Sequence, residues 1–74
     1  MKRMEIHTVP NRVGSGWVNM MDGEVVSRHN RKDTAMARGR TLARRDHAEH
    51  VIHNKDGRIG ESNSYGHDPF PPKG

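Results

Sequence analysis

Arg31, Lys32, Arg38, Arg40, Arg44 and Arg45 crowd one short stretch of the chain. If that stretch is a helix, at roughly 100° per residue, Arg31, Arg38 and Arg45 line one flank of its apolar face. Arg40 and Arg44 then line the other. Such a surface attracts nucleic-acid phosphates without reading base sequence, and each guanidinium offers a planar fork that matches a phosphate. Arg12, Arg28, Lys55 and Arg58 add positive charge elsewhere. The plainer alternative is a solvated helix face, which needs charge and for which arginine is a good helix former. Asp33, Asp46 and Glu49 dilute the patch. One Trp, one Tyr and one Phe leave little with which to stack single-stranded bases.

Six histidines form the second group with chemistry to offer. His47, His50 and His53 are spaced by three. On a helix that spacing shares a face and can hold a metal; on a strand it points to opposite faces. A helix ending near His47 and a strand reaching His53 break the set. Asp46 and Glu49 stand nearby, but there is no cysteine to complete a zinc site. Exposed imidazoles are the expectation, with no metal and no cofactor. Nor does a catalytic set emerge. Ser62, Ser64 and Tyr65 lie near His67 and Asp68 in a Gly- and Pro-rich segment, which gives no rigid placement. Asn63, Ser64 and Gly66 suit turns. Gly14-Ser15-Gly16 precedes a strand rather than a helix and is no phosphate loop. The chain is not expected to be an enzyme.

The elements that must position these residues follow from periodicity. Glu5 to Val9 reads as a strand ended by Pro10-Asn11. Trp17 to Met21 is a second strand, with Asn19 its one polar interruption. Asp22-Gly23 signals a hairpin, and Val25 to His29 returns from it. Asn30 then reads as a helix N-cap, with Asp33 favourably placed in the first turn. Ala35, Gly39, Leu42 and Ala43 fall on one face of a helix from Arg31 to Arg45, and Met36 extends that face. The face is made of small residues, so the helix is expected close against a sheet, with Trp17 as the central packing residue beneath it. Gly39 should weaken the helix by about 1 kcal/mol relative to alanine. Glu49 to Asn54 is a fourth strand, Lys55-Asp56-Gly57 a turn, and Arg58 to Ser62 a fifth strand. The expected fold is α+β: a small antiparallel sheet in β-β-β-α-β-β order, one helix on one face, and an extended tail.

Length and composition bound what this can be. Seventy-four residues with net charge +4 make one small domain. It is expected at 1–62, with a Pro- and Gly-rich polar tail at 63–74. Leu, Ile, Val and Phe number 11 of 74 residues, a share low enough to bring disorder into view, but they are clustered and periodic. A core this small is marginal alone, so a homodimer sharing a core stays open. No apolar run could span a membrane, and Met1-Lys2-Arg3-Met4-Glu5 opens no secretory signal. A cytoplasmic location is expected.

One segment is specific. Val51-Ile52-His53-Asn54-Lys55-Asp56-Gly57-Arg58-Ile59 runs on through Asn63-Ser64-Tyr65-Gly66-His67-Asp68-Pro69-Phe70-Pro71-Pro72-Lys73-Gly74. His7-Thr8-Val9-Pro10 and Gly16-Trp17 lie upstream. Together they resemble the small bacterial proteins of domain of unknown function 2188, over nearly the whole chain. The resemblance implies the same order of elements and a bacterial or phage source, and brings no established activity. Two departures are Asn19, where such proteins more often carry an apolar residue, and a helix richer in arginine than in acidic residues. The functional expectation is therefore a small basic binding module that meets nucleic acid through Arg31, Arg38, Arg40, Arg44 and Arg45. The alternative is a protein-interaction module, an adaptor or a phage-type inhibitor, using a sheet edge or the tail.

Overall fold

The computed structural model describes residues 4–65. Its elements are β1 (Glu5–Pro10), β2 (Trp17–Met21), β3 (Glu24–His29), α1 (Lys32–Arg45), β4 (Glu49–His53) and β5 (Ile59–Ser64). This is the β-β-β-α-β-β order expected from the pattern. The turn chemistry explains the hairpins. Asp22 and Gly23 both adopt positive φ, 55° and 81°, as a two-residue hairpin loop with native twist requires. Between β4 and β5, the Asn54 amide donates to the Arg58 carbonyl at 2.7 Å, and Asp56 Oδ1 accepts from the Arg58 amide at 3.0 Å.

The sheet is mixed, not purely antiparallel. Its strand order is β3-β2-β1-β4-β5. Three neighbouring pairs are antiparallel, β1 with β2, β2 with β3 and β4 with β5, but β1 and β4 are parallel. The helix is the cause. A hairpin turn reverses direction, whereas a helical crossover returns the chain to the end from which it started. β4 therefore begins where β1 begins and runs beside it.

Strand β5 also continues two residues into the expected tail. Asn63 and Ser64 pair with His50 and Glu49, because the free edge of β4 offers backbone groups that need partners. The Tyr65 amide then donates to the Ala48 carbonyl at 3.2 Å. Residues 66–74, which hold the rest of the tail, His67, Asp68 and Phe70, lie outside the described residues.

Helix α1 starts one residue late, and Asn30 does not cap it. Arg31 is the N-cap residue, extended and without a side-chain cap bond. Asp33 serves the first turn instead: its Oδ1 accepts from the Thr34 amide at 2.7 Å. The far end is closed by a left-handed residue. His47 has φ 53°, and the Ala48 amide reaches back to the Ala43 carbonyl at 2.8 Å. That places a histidine where glycine is more usual.

The helix lays Ala35, Gly39, Leu42 and Ala43 on the sheet, as the spacing requires. The apolar cluster is small: Ile6, Leu42, Ala43 and Ala48, with Met21 and Tyr65 packed against it. Trp17 is not its centre. It is half-buried at the start of β2, between Pro10 and His29 in the sheet register, with Lys32 Nζ 5.1 Å from its ring centroid. The middle of the helix–sheet contact is taken by polar side chains, which leave no room there for an indole.

Candidate functional site

The five arginines singled out above are all exposed. Sequence neighbours neutralise two of them. Arg31 forms a two-pronged bond to Asp33, Nε to Oδ1 at 3.1 Å and Nη2 to Oδ2 at 2.9 Å. Arg45 Nε donates to Asp46 Oδ1 at 3.2 Å. The Arg31 guanidinium holds the Asp33 carboxyl below the usual carboxylate range, and the Thr34 amide adds to this. Among the described residues, Arg38, Arg40 and Arg44 make no ion pair. They are carried on a helix docked along its length, so their bases are fixed while their heads reach into water.

At the N-terminal end of α1 an open cleft of about 570 Å³ joins this surface. Trp17, Arg28, His29, Arg31 and Thr34 are among its walls. The sequence pattern alone presents Arg28 as charge outside the patch and Trp17 as core. Their meeting here depends on β2 beginning and β3 ending beside the helix start, which no local motif announces.

Beneath the helix lies a buried polar chain. Thr8 on β1, Asn19 on β2 and His50 on β4 are each at most 1% exposed. Thr8 Oγ1 donates to Asn19 Oδ1 at 2.5 Å. That leaves the hydroxyl oxygen to accept from His50 Nε2–H at 2.7 Å, which sets the histidine tautomer. Asn19 Nδ2 in turn donates to the Ala35 carbonyl and to Ser27 Oγ, both at 2.9 Å. Ser27 Oγ lies 3.0 Å from His29 Nε2. Burial pushes the His50 pKa down, with Arg40 adding to it, so the imidazole is neutral. The polar character of Asn19, odd in an apolar strand, was the visible signal of this network.

His47, His50 and His53 do not converge. His47 is exposed in the turn after α1, His50 is buried under the helix, and His53 is half-buried on β4. The expectation of exposed imidazoles thus fails for His50, because Thr8 supplies the partner its burial requires. Among the described residues no group of three or more His, Asp or Glu side chains is placed to hold a metal. On the sheet face away from the helix a second chain runs from Glu5 through His7 and His53 to Gly57. Ser62 and Ser64 are exposed and Tyr65 is half-buried, and among the described residues no side-chain hydrogen bond joins them to a base or an acid.

No helix among the described residues is long and apolar enough to cross a membrane. No curated protein and no solved structure matches the chain. The family model described as an uncharacterized protein conserved in bacteria, DUF2188, matches residues 6–65. That span holds all of α1, β2, β3, β4 and β5 and all but the first residue of β1, and on it the chain belongs to this bacterial family.

Proposed function

We propose that this protein is a small, non-enzymatic binding module that holds nucleic-acid phosphates on the outer face of α1. The observation that carries the reading is the exposure of Arg38, Arg40 and Arg44 with no carboxylate partner among the described residues. Three guanidiniums carried on one docked helix place positive charge on both of its flanks, and Arg28 in the wall of the cleft adds to it beside the helix start. Phosphate contacts of this kind give affinity without base specificity.

The test is a salt series of binding to mixed duplex DNA, single-stranded DNA and RNA. Three engaged arginines predict a slope of about −3 in log K against log salt on duplex DNA. The triple variant R38Q/R40Q/R44Q should lose binding while keeping its fold. Unchanged binding by that variant, or binding indifferent to salt, would sink the reading.

A second reading rests on β3. This edge strand leaves Val25 and Val26 39% and 42% exposed, and an open edge can accept a strand from a protein partner. Binding of that kind would persist at high salt and tolerate the arginine variants.

A further inference from the structure

The chain on the helix-free face has an unusual balance of donors. His7 Nε2 lies 2.8 Å from Glu5 Oε1. A carboxylate only accepts, so His7 Nε2 carries hydrogen. His53 Nδ1 lies 2.9 Å from the Gly57 carbonyl oxygen. A carbonyl also only accepts, so His53 Nδ1 carries hydrogen. In neutral rings these two bonds leave His7 Nδ1 and His53 Nε2 as bare lone pairs. Those two atoms face each other at 3.0 Å. Two lone pairs at that distance repel, and a cation between them removes the repulsion.

We propose that His7 and His53 form a two-imidazole site for a borderline divalent transition-metal ion, with Cu2+ favoured over Zn2+. Two features support a metal as the cation. First, each ring is already oriented by the outer partner that metal-ligating histidines take, a carboxylate for His7 and a backbone carbonyl for His53. Second, the spacing suits a particular geometry. With metal–nitrogen bonds of about 2.0 Å, a 3.0 Å separation gives an N–metal–N angle of roughly 95°. That is nearer the cis angle of a tetragonal site than the tetrahedral angle of zinc, and tetragonal nitrogen sites select Cu2+. The rings belong to the central parallel pair, β1 and β4, so the sheet itself holds them in register. Their side of the sheet carries no helix, and the His7 side chain is 35% exposed, so water completes the coordination. A proton is the competing occupant, and metal uptake would displace it.

The probe is CuSO4, with ZnSO4 in parallel, added to tag-free full-length protein. One equivalent of Cu2+ should bind, more tightly than Zn2+, with an electron paramagnetic resonance spectrum showing two nitrogen donors. His7→Gln and His53→Gln should each reduce the donors to one and weaken binding by at least about 100-fold. Glu5→Gln should weaken it by about 10-fold, through loss of ring orientation. His47→Gln, away from the site, should change nothing. Circular dichroism of each variant separates lost ligation from lost fold. If Cu2+ binds equally well to the His7→Gln and His53→Gln proteins, the site lies elsewhere and the proposal fails. If wild type takes up no stoichiometric Cu2+, and nitrogen-15 spectra show a third ring N–H persisting on the pair, a shared proton is the occupant and the proposal fails as well.

Discussion

His50 on β4 and Thr8 on β1 share a buried hydrogen bond of 2.7 Å, from Nε2–H to Oγ1, across the parallel pair at the centre of the sheet. Gly39 lies directly over it. A Cβ added at Gly39 would stand 2.5 Å from His50 Nε2, 2.7 Å from Asn19 Oδ1 and 2.8 Å from Thr8 Oγ1. The glycine that weakens the helix locally is what lets it settle on a polar seam. An apolar-core expectation would make Gly39 a defect; the close approach makes it a requirement.

Gly39→Ala should therefore destabilise the protein. Alanine contributes about 1 kcal/mol of helix propensity, but forcing a methyl into this contact should cost about 3 kcal/mol. A net loss of about 2 kcal/mol should appear as a lower midpoint in urea denaturation. A midpoint that rose would mean that the helix sits farther from the sheet.

Thr8→Val keeps the shape and removes the hydroxyl. It strands the Asn19 carbonyl and the His50 N–H in a site closed to water, at a cost of about 2–4 kcal/mol. Because Thr8 and His50 act together, the double variant T8V/H50L should cost less than the two single changes combined, by about 1 kcal/mol or more. Additive losses would show that the bond contributes nothing as a pair.

His50 also predicts a pH dependence. Its folded pKa lies below the ordinary 6.5, first through burial and then through Arg40. The unfolded chain therefore takes up a proton that the folded chain refuses. Stability is fully present above pH 6.5 and falls as the pH drops below it, with a slope of at most about 1.4 kcal/mol per pH unit from this group. Denaturation midpoints taken from pH 7.5 downwards should show the decline, and His50→Gln should flatten it.

The two neutralised arginines offer a test with the opposite sign. Asp33→Asn and Asp46→Asn free Arg31 and Arg45. If α1 meets phosphates, each change should tighten low-salt binding to duplex DNA by about 2- to 5-fold and steepen its salt slope by up to about one. Weaker binding in both variants would argue against the helix as the contact surface.

Much of the fold was legible because its signals are local. Asp22-Gly23 and Lys55-Asp56-Gly57 punctuate the hairpins, and Ala35, Gly39, Leu42 and Ala43 mark the buried helix face. The parallel direction follows from the helical crossover in that order of elements, but the pairing of β4 with β1 was not legible, since it joins residues that share no local pattern. The polar seam was legible only at Asn19, which stands out in an apolar strand. Thr8 and His50 look like surface residues, and only the convergence of the three makes burial tolerable. Of the candidate site, the exposure of the arginines followed from helix geometry, and their pairing with Asp33 and Asp46 from adjacency. The cleft beside Trp17 and Arg28 required the tertiary arrangement of β2 and β3.

The parallel contact between β1 and β4 has a kinetic meaning. The three-stranded meander from β1 to β3 and the hairpin of β4 and β5 close short loops, each able to form early. They become one sheet only when Glu5 finds Glu49 and Thr8 finds Ile52, with the whole helix lying between. Closing so long a loop before its contacts reward it slows folding. Opened, this seam would separate the chain into two halves, so the central amides of β1 and β4 should exchange with solvent together, as one unit.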